Sequence, residues 1–510
     1  MGSISLNKLS LTLGTELFRN LDLVVSDGDR VGLVAANGAG KSSLLRIIAG
    51  ELEPSEGDIT RSRGLTIGHV EQEVPAGLME LSLRDAVAAA LPAEQRETES
   101  WRADVALDGF DAPWELRDRP VGALSGGWQR LMLIARMWVA EPDALLMDEP
   151  TNHLDLGKIM VLEDWLNRVA RGVPMIVASH DRAFLDAVTN RTLFLRPGTS
   201  QFYPLPFSAA RTELAREDAT VAARNERELK EAGKLRKQAA KLKNIGINSG
   251  SDLLLTKTRQ LKERAAQIEE NVQAVHRERS GEIKLANSGT HARLMLALEN
   301  LTVTTPTGQA LFKIDKLHIF QGDRVVLLGR NGTGKTQLVR MIHRAVSGEA
   351  VAGIRVTPSL VAGYADQDMS QLPGAMTPDE LISTQFRLPD ARVRSLLAAA
   401  GFDIDRQARP ISRLSLGQKA RLGLLALRLA EPNFYLMDEP TNHVDIAGQE
   451  ALEAELLAHV ATAVLVSHDR SFVRAVGTRY LEIDGRKLKE TEGPDGFFLA
   501  LAADLKMESS

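Results

Sequence analysis

The run Met147-Asp148-Glu149-Pro150-Thr151-Asn152-His153-Leu154-Asp155 returns 290 positions later as Met437-Asp438-Glu439-Pro440-Thr441-Asn442-His443-Val444-Asp445. Each copy follows a short apolar run, Ala144-Leu145-Leu146 or Phe434-Tyr435-Leu436, which reads as a buried strand delivering two carboxylates to its C-terminal edge. Other motifs travel with it in a fixed order. A glycine-rich loop repeats from Lys41 to Lys335 and a glutamine after a short strand from Gln72 to Gln367. Leu124-Ser125-Gly126-Gly127 becomes Leu414-Ser415-Leu416-Gly417, and Ser179-His180-Asp181 becomes Ser467-His468-Asp469. The four offsets are 294, 295, 290 and 288. The chain is therefore a duplication of units of roughly 200 residues, a period far longer than that of solenoid repeats.

With 44% hydrophobic and 25% charged residues, the 510-residue chain has the composition of a soluble globular protein of two or more domains. No stretch reaches the roughly 18 uncharged apolar residues that a membrane helix needs; the best candidate, Leu131 to Ala140, contains Arg136. Met1 to Gly14 alternates like an edge strand and lacks the basic start and apolar stretch of a secretory signal, so residence in the cytoplasm is expected. There is no cysteine, which fits a reducing compartment and excludes cysteine zinc sites and iron–sulfur clusters.

Val31-Gly32-Leu33-Val34 is an apolar strand running into Ala35-Ala36-Asn37-Gly38-Ala39-Gly40-Lys41-Ser42, after which Leu44, Leu45, Ile47 and Ile48 look helical. Strand, glycine loop and helix form the context of a phosphate loop. Its glycines let backbone N–H groups turn toward phosphates, the helix N-terminus adds partial positive charge, and the lysine bridges the outer phosphates. Ser42 would offer a hydroxyl to Mg²⁺. The second copy, Gly329-Arg330-Asn331-Gly332-Thr333-Gly334-Lys335-Thr336, is a complete match. Nucleotide contacts are therefore expected from Asn37, Gly38, Ala39, Gly40, Lys41, Ser42 and Ser43, and from Asn331, Gly332, Thr333, Gly334, Lys335, Thr336 and Gln337. Asp148 and Asp438 stand where a strand-end carboxylate holds Mg²⁺, and Glu149 and Glu439 where one orients or deprotonates the attacking water. His180 and His468 also follow strand-like runs and are expected to contact the γ-phosphate.

Phosphate loop, glutamine, Leu-Ser-Gly-Gly, Asp-Glu and histidine in this order resemble the ATP-binding cassette (ABC) ATPases over about four-fifths of the chain, with Leu124-Ser125-Gly126-Gly127 as the family signature. The resemblance implies two α/β cassettes closing head to tail, each nucleotide lying between one phosphate loop and the other cassette's signature. Site one would use Lys41, Ser42, Gln72, Asp148, Glu149 and His180 with Ser415 and Gly417. Site two would use Lys335, Thr336, Gln367, Asp438, Glu439 and His468 with Ser125, Gly126 and Gly127. Gln72 and Gln367 join Ser42, Thr336, Asp148 and Asp438 as implied Mg²⁺ ligands.

Two departures from the family pattern fall in site one: Ala35 and Leu416 each replace a glycine. A side chain restricts the backbone and adds bulk where phosphate approaches, so weaker binding or turnover is expected at site one. The family usually stacks adenine on an aromatic ring just before the first cassette strand. Here those stretches read Leu11-Thr12-Leu13-Gly14 and Val303-Thr304-Thr305-Pro306, without a ring, which leaves ATP over GTP preference unread.

Between the units, Arg211 to Ser280 is charged, free of proline and poor in aromatics. Leu254, Thr258, Leu261, Ala265, Ile268, Val272 and Val275 step by fours and threes, a heptad seam, and Ala232, Leu235, Ala239 and Leu242 make a matching one. Asn244 to Asp252 breaks the pattern with turn residues, and Ser251 or Asp252 can cap the return helix. An antiparallel helical hairpin is expected, with helices of about 30 residues and on the order of 45 Å. Lys234 to Arg264 carries nine basic and two acidic residues, a net of +7 in a chain of −5. A basic prong on an acidic body suits docking on a polyanion, through Lys237, Lys241, Lys243, Lys257, Arg259 and Lys262. With few aromatics, contact should be with RNA phosphates and shape.

Duplicated cassettes, no membrane segment, the charged linker and the Glu-Pro-Thr-Asn-His-Leu-Asp form of the acidic motif together resemble the F subfamily of ABC proteins. That implies a monomeric, ribosome-bound ATPase whose linker acts near tRNA and rRNA, modulating translation or protecting the ribosome from stalling or antibiotics. The expected layout is cassette one over 1–208, hairpin linker over 209–285, cassette two over 286–500 and a short tail over 501–510. The intervals from Gln72 to Leu124 and from Gln367 to Leu414 leave no room for a large extra arm. The alternative is the ATP-hydrolysing subunit of a membrane transporter with a separate transmembrane chain, which has little use for a basic hairpin. A chromosome-type ATPase would need a coiled-coil insertion between Lys41 and Asp148, where only 107 positions lie.

Overall fold

A computed structural model describes residues 2–70, 73–249, 252–271, 281, 283–289, 292–367 and 369–508. The first repeat contributes β1 (Ile4–Leu13), β2 (Thr15–Val25), β3 (Arg30–Val34), β4 (Glu56–Arg61), β5 (Ile67–Val70), β6 (Ala144–Asp148), β7 (Met175–Ala178), β8 (Arg191–Phe194) and β9 (Gln201–Tyr203). β2-β1-β4 is an antiparallel sheet, and β5-β6-β7-β3-β8-β9 is a second sheet whose first five strands run parallel. All five residues of β6 are buried, as a parallel strand covered on both faces requires.

The second repeat follows the same plan with β10 (Leu294–Thr304), β11 (Ala310–Phe320), β12 (Arg324–Leu328), β13 (Ile354–Val356), β14 (Ala362–Ala365), β15 (Phe434–Asp438), β16 (Thr462–Val466), β17 (Arg479–Asp484) and β18 (Lys487–Thr491). A single pairing of Lys313 with Lys487 joins its antiparallel and parallel parts into nine strands, β13-β10-β11-β18-β17-β12-β16-β15-β14. The expected α/β class and duplicated cassettes are what the chain forms.

The helices that shape the sites are α1 (Lys41–Ala49), α2 (Gly126–Trp138), α3 (Leu156–Arg168) and α4 (Arg182–Val188). Their counterparts are α7 (Lys335–Val346), α8 (Leu416–Leu429), α9 (Ile446–Ala458) and α10 (Arg470–Val476). Between the sets lie α5 (Phe207–Ser249) and α6 (Asp252–Asn271), and α11 (Asp495–Glu508) comes last. The aspartates that close the repeated motifs are helix caps. Asp155, Asp181, Asp445 and Asp469 accept the backbone N–H of Lys158, Phe184, Gly448 and Phe472 at 2.8, 2.9, 3.0 and 2.9 Å, satisfying donors that a helix start leaves open.

The chain divides into two compact units, one holding both cassettes (Met1–Phe202 with Arg279–Ser510) and one holding the hairpin (Tyr203–Glu278). Within the hairpin unit Ala232, Ala239, Thr258 and Ala265 are buried and Leu235, Leu242, Leu254, Leu261 and Ile268 half-buried, which is the expected seam; Val272 and Val275 lie outside the described residues. The break expected from Asn244 is shorter than its composition suggested, because α5 runs on to Ser249 and reaches 43 residues, about 65 Å. A single glycine costs a helix only about 1 kcal/mol. Ser251 lies outside the described residues, and Asp252 is the first residue of α6 and not its cap.

Two segments tie the cassette unit together. Phe498 and Leu501 of α11 are buried in one cluster with Leu156 and Met160 of α3, so the last helix packs on the first cassette. Residues 501–510, expected as a tail, thus begin inside a helix that crosses position 500. Residues 283–289 lie along the second cassette: Ile283 and Leu285 join the same cluster, the Leu285 N–H donates to Glu455 at 2.7 Å, and Asn287 donates to the His459 carbonyl at 2.9 Å.

Candidate active site

Gly40 and Gly334 precede α1 and α7 with φ of +97° and +107°, and an added Cβ would meet Leu17 at 3.2 Å or Leu311 at 2.8 Å. Both strain and space reserve the position for glycine. The lysines that follow are buried, yet they rest differently. Lys41 Nζ donates to the Ala35 carbonyl at 3.2 Å and lies 2.8 Å from His180 Nε2. Lys335 Nζ donates to the carbonyls of Gly329 and Arg330 at 2.7 and 3.1 Å. Burial lowers the Lys335 pKa against the pull of Glu439, Asp438 and Asp155.

Asp148 and Asp438 end their buried strands, and Glu149 and Glu439 follow in left-handed backbone, with φ of +47° and +54°. One oxygen of each glutamate accepts the backbone N–H of the histidine in its own cassette, Glu149 from His180 at 3.1 Å and Glu439 from His468 at 3.0 Å. The other, Oε1, is buried without a hydrogen-bond partner among the described residues. It lies 3.3 Å from His180 Nε2 in the first cassette and 3.4 Å from His468 Nε2 in the second. Burial pushes the Glu149 carboxyl up to about 7 although Lys41, at 3.7 Å, opposes the shift. A carboxylate near neutrality with a free lone pair is able to take a proton from water. Burial, then Lys41, His443 and Arg421, hold the His180 imidazole well below its ordinary pKa. Asp438 accepts a hydrogen bond from Thr336, and burial raises its pKa. One carboxylate with one hydroxyl is the donor set of a Mg²⁺ ion that shares its coordination with phosphates.

Both phosphate loops open onto one cavity of about 1430 Å³ between the cassettes. Asn37, Gly38, Gly40, Lys41, Ser42, Ser43, Asp148, Glu149 and His180 line it from the first cassette, and Asn331, Gly332, Gly334, Lys335, Thr336, Gln337, Gln367, Asp438, Glu439 and His468 from the second, with Ser415 and Gly417. Ala39, Thr333, Ser125, Gly126 and Gly127 are not among the lining residues, and Gln72 lies outside the described residues. The facing is head to tail: Asn37 donates its side-chain N–H to the His443 carbonyl at 2.9 Å, and a Cβ on Gly417 would lie 3.0 Å from Asn37 Nδ2. Across the other site Asn331 donates to Asp155 at 3.3 Å.

The substitutions in site one are accommodated by their surroundings. A Cβ on Gly329 would press on Thr333 Oγ1 at 2.9 Å; at the same offset the first loop pairs Ala35 with Ala39, which has no hydroxyl to meet. A Cβ on Gly126 would touch only His153, at 3.6 Å, so the equivalent Leu416 has room and is 40% exposed. Where a base-stacking ring would sit, Leu13, Leu17, Thr305 and Leu311 line the cavity.

Sequence reasoning passed over the residues that join the halves. Arg182 pairs with Glu453 and Arg470 with Glu163, each across the cassette boundary, while Arg421 pairs within the second cassette with Asp445, at 2.8 Å, and Asp445 in turn accepts the Asn37 N–H of the first. The first two were visible as charges at matching offsets in both repeats, and the third as an arginine whose counterpart is Leu131.

Two phosphate loops, two strand-end Asp-Glu pairs and a trans-facing signature on duplicated α/β units define an ATP-binding cassette ATPase, which converts ATP and water to ADP and phosphate. The ABC transporter family model matches residues 18–152 and 312–442, just over half of the chain. Similar proteins include ABC transporter F family member 5 of Arabidopsis thaliana, 29% identical over 97% of this chain and 76% of its own. "Probable ATP-binding protein YbiT" of Escherichia coli O157:H7 is 32% identical over 94% and 95%. Ribosome protection protein VmlR of Bacillus subtilis (strain 168) is 28% identical over 93% and 85%. The fold also matches the archaeal ribosome recycling factor aABCE1, solved in complex with the ribosomal stalk protein aP1, with a TM-score of 0.63 at 19% identity over 97% of this chain and 92% of that one. The chain belongs to the F subfamily of ABC ATPases. Among the described residues no helix is long and apolar enough to cross a membrane.

Proposed function

We propose that this protein is a cytoplasmic translation factor that binds the ribosome, closing its cassettes on ATP while the basic hairpin acts near tRNA and rRNA to relieve stalling or protect against antibiotics. The observation that carries this reading is the hairpin. Lys237, Lys241, Lys243, Lys257, Arg259 and Lys262 are all exposed on it, and only Arg259 of the six forms an ion pair among the described residues, with Glu263 on its own helix. Such side chains are free to replace counterions on nucleic-acid phosphates. Similarity to the Bacillus subtilis protein named for ribosome protection supports the same partner.

In this reading Lys41 and Lys335 hold the outer phosphates, Ser42 with Asp148 and Thr336 with Asp438 hold Mg²⁺, with Gln72 and Gln367 beside them, and Ser415 with Gly417 and Ser125 with Gly126 and Gly127 close from the opposite cassette. Glu149 and Glu439 orient or deprotonate water, and His180 and His468 contact the γ-phosphate. The cassettes comprise 1–208 and 286–500, and the linker 209–285. Sedimentation of the Glu149→Gln/Glu439→Gln protein with ribosomes tests the proposal: ATP should drive it into the ribosomal fraction, and its absence there overturns the partner.

A further inference from the structure

The last acid of each repeated run leans on a different cation in the two halves. Asp445 is 1% exposed. Its Oδ2 accepts the Arg421 guanidinium at 2.8 Å and the backbone N–H of Asn37, in the first phosphate loop, at 3.2 Å. Asn37 carries the contact onward, its Oδ1 lying 3.1 Å from His180 Nε2, which is itself 2.8 Å from Lys41 Nζ. A continuous polar chain therefore runs from α8, the helix that opens at the second signature, to the lysine of the first phosphate loop. Asp155, the counterpart of Asp445, instead accepts Lys158 Nζ at 2.8 Å and the Asn331 side chain at 3.3 Å. At the repeat offset of 290, Arg421 corresponds to the core residue Leu131 and Lys158 to Gly448. Each half keeps one cation for its aspartate and places it on a different helix.

We infer that Arg421 is a positioning residue for nucleotide in site one, acting through Asp445 and Asn37; the inference rests on the assignment of site one given above. With Arg421 removed, Asp445 holds a buried charge without its cation, an unfavourable state, and the hold on Asn37 loosens. Arg421 ties that hold to the second signature helix and to the neighbouring turn, where a Cβ on Gly401 would lie 3.2 Å from its Nη1. Lys158 lies on α3, the helix that Asp155 itself caps, and meets the first signature helix only by packing, its Nζ 5.5 Å from the Trp128 ring and its Cδ 2.8 Å from a Cβ built on Gly127. Movement of the second signature helix thus reaches the first phosphate loop through an ion pair, whereas among the described residues no ion pair joins the first signature helix to Asp155.

A fluorescent ATP analogue titrated into the full chain tests this, with Lys335→Ala leaving site one to be read and Lys41→Ala leaving site two. Arg421→Leu should raise the site-one Kd about tenfold, as loss of one charge-assisted bond implies, and leave the site-two Kd within about twofold. Arg421→Lys, which keeps the charge and the fold, should show a smaller loss confined to site one. Equal losses at both sites, or no loss at site one, overturn the proposal. Binding retained by the Lys41→Ala/Lys335→Ala protein would overturn the site assignment itself.

Discussion

Arg182 and Glu453 stand 271 residues apart and form an ion pair across the cassette boundary, the guanidinium donating to both carboxylate oxygens. Arg470 and Glu163 repeat it in the opposite sense. Each arginine lies two residues after a site histidine, and each glutamate lies on a helix capped by the last acid of a repeated run, so each histidine loop is fastened to the other cassette. The side chains are only 11% and 13% exposed, and breaking such a pair by removing one partner costs about 3 kcal/mol. Arg182→Ala and Glu453→Ala should each destabilise the protein to denaturant, while the double variant loses less than the sum. Additive losses would show that the pair is not coupled.

The contribution of Glu149 and Asp181 to the stability of the nucleotide-free protein should fall as pH rises from about 4 to 7. Burial raises the carboxyls of Glu149 and Asp181 to about 7, from ordinary values of 4.5 and 3.8, with Asp469 and Glu163 adding to the Asp181 shift and Arg470 opposing it. Between the ordinary and raised values the native state holds protons that the unfolded chain has released, so stability is lost as they leave. Glu149→Gln and Asp181→Asn should flatten that slope in chemical denaturation across the range. Curves parallel to the parent would contradict the assignment.

Ala39 should accept threonine only when Ala35 is replaced by glycine. Ala39→Thr restores a hydroxyl against the Ala35 methyl, at a separation of 2.9 Å judged from Gly329 and Thr333, and overpacking of this kind costs about 1–3 kcal/mol. Site-one nucleotide affinity should drop at least several-fold in Ala39→Thr and recover in Ala35→Gly/Ala39→Thr, measured with site two disabled. Recovery failing in the double variant would exclude steric exchange as the reason.

Charge reversal in the hairpin, Lys241→Glu with Lys243→Glu, lowers the net charge of Lys234 to Arg264 from +7 to +3. Ribosome association should weaken, and the slope of log affinity against log salt should become shallower by about two. Binding that keeps both its strength and its salt slope would remove the role given to these lysines.

The repeated motifs made both cassettes legible because each motif residue answers to local geometry: a buried strand end, a left-handed turn, a capped helix start. Contacts between the copies were not legible, since Arg182 with Glu453 and Arg470 with Glu163 become partners only when units hundreds of residues apart are folded together. Room for the Ala35 methyl depends likewise on a neighbour, Ala39, that motif reading takes no account of. The turn residues from Asn244 to Ser249 promised a break, yet α5 continues through them to Ser249.

Helix α11 gives the pair of cassettes a property that two separate subunits lack. Phe498 and Leu501, seated against Leu156 and Met160, add a second connection between the halves besides the linker. Separate subunits must find each other by diffusion, so their closure depends on how much protein is present. Halves joined twice meet at an effective concentration set by the tether, which makes closure a first-order event governed by nucleotide and independent of dilution.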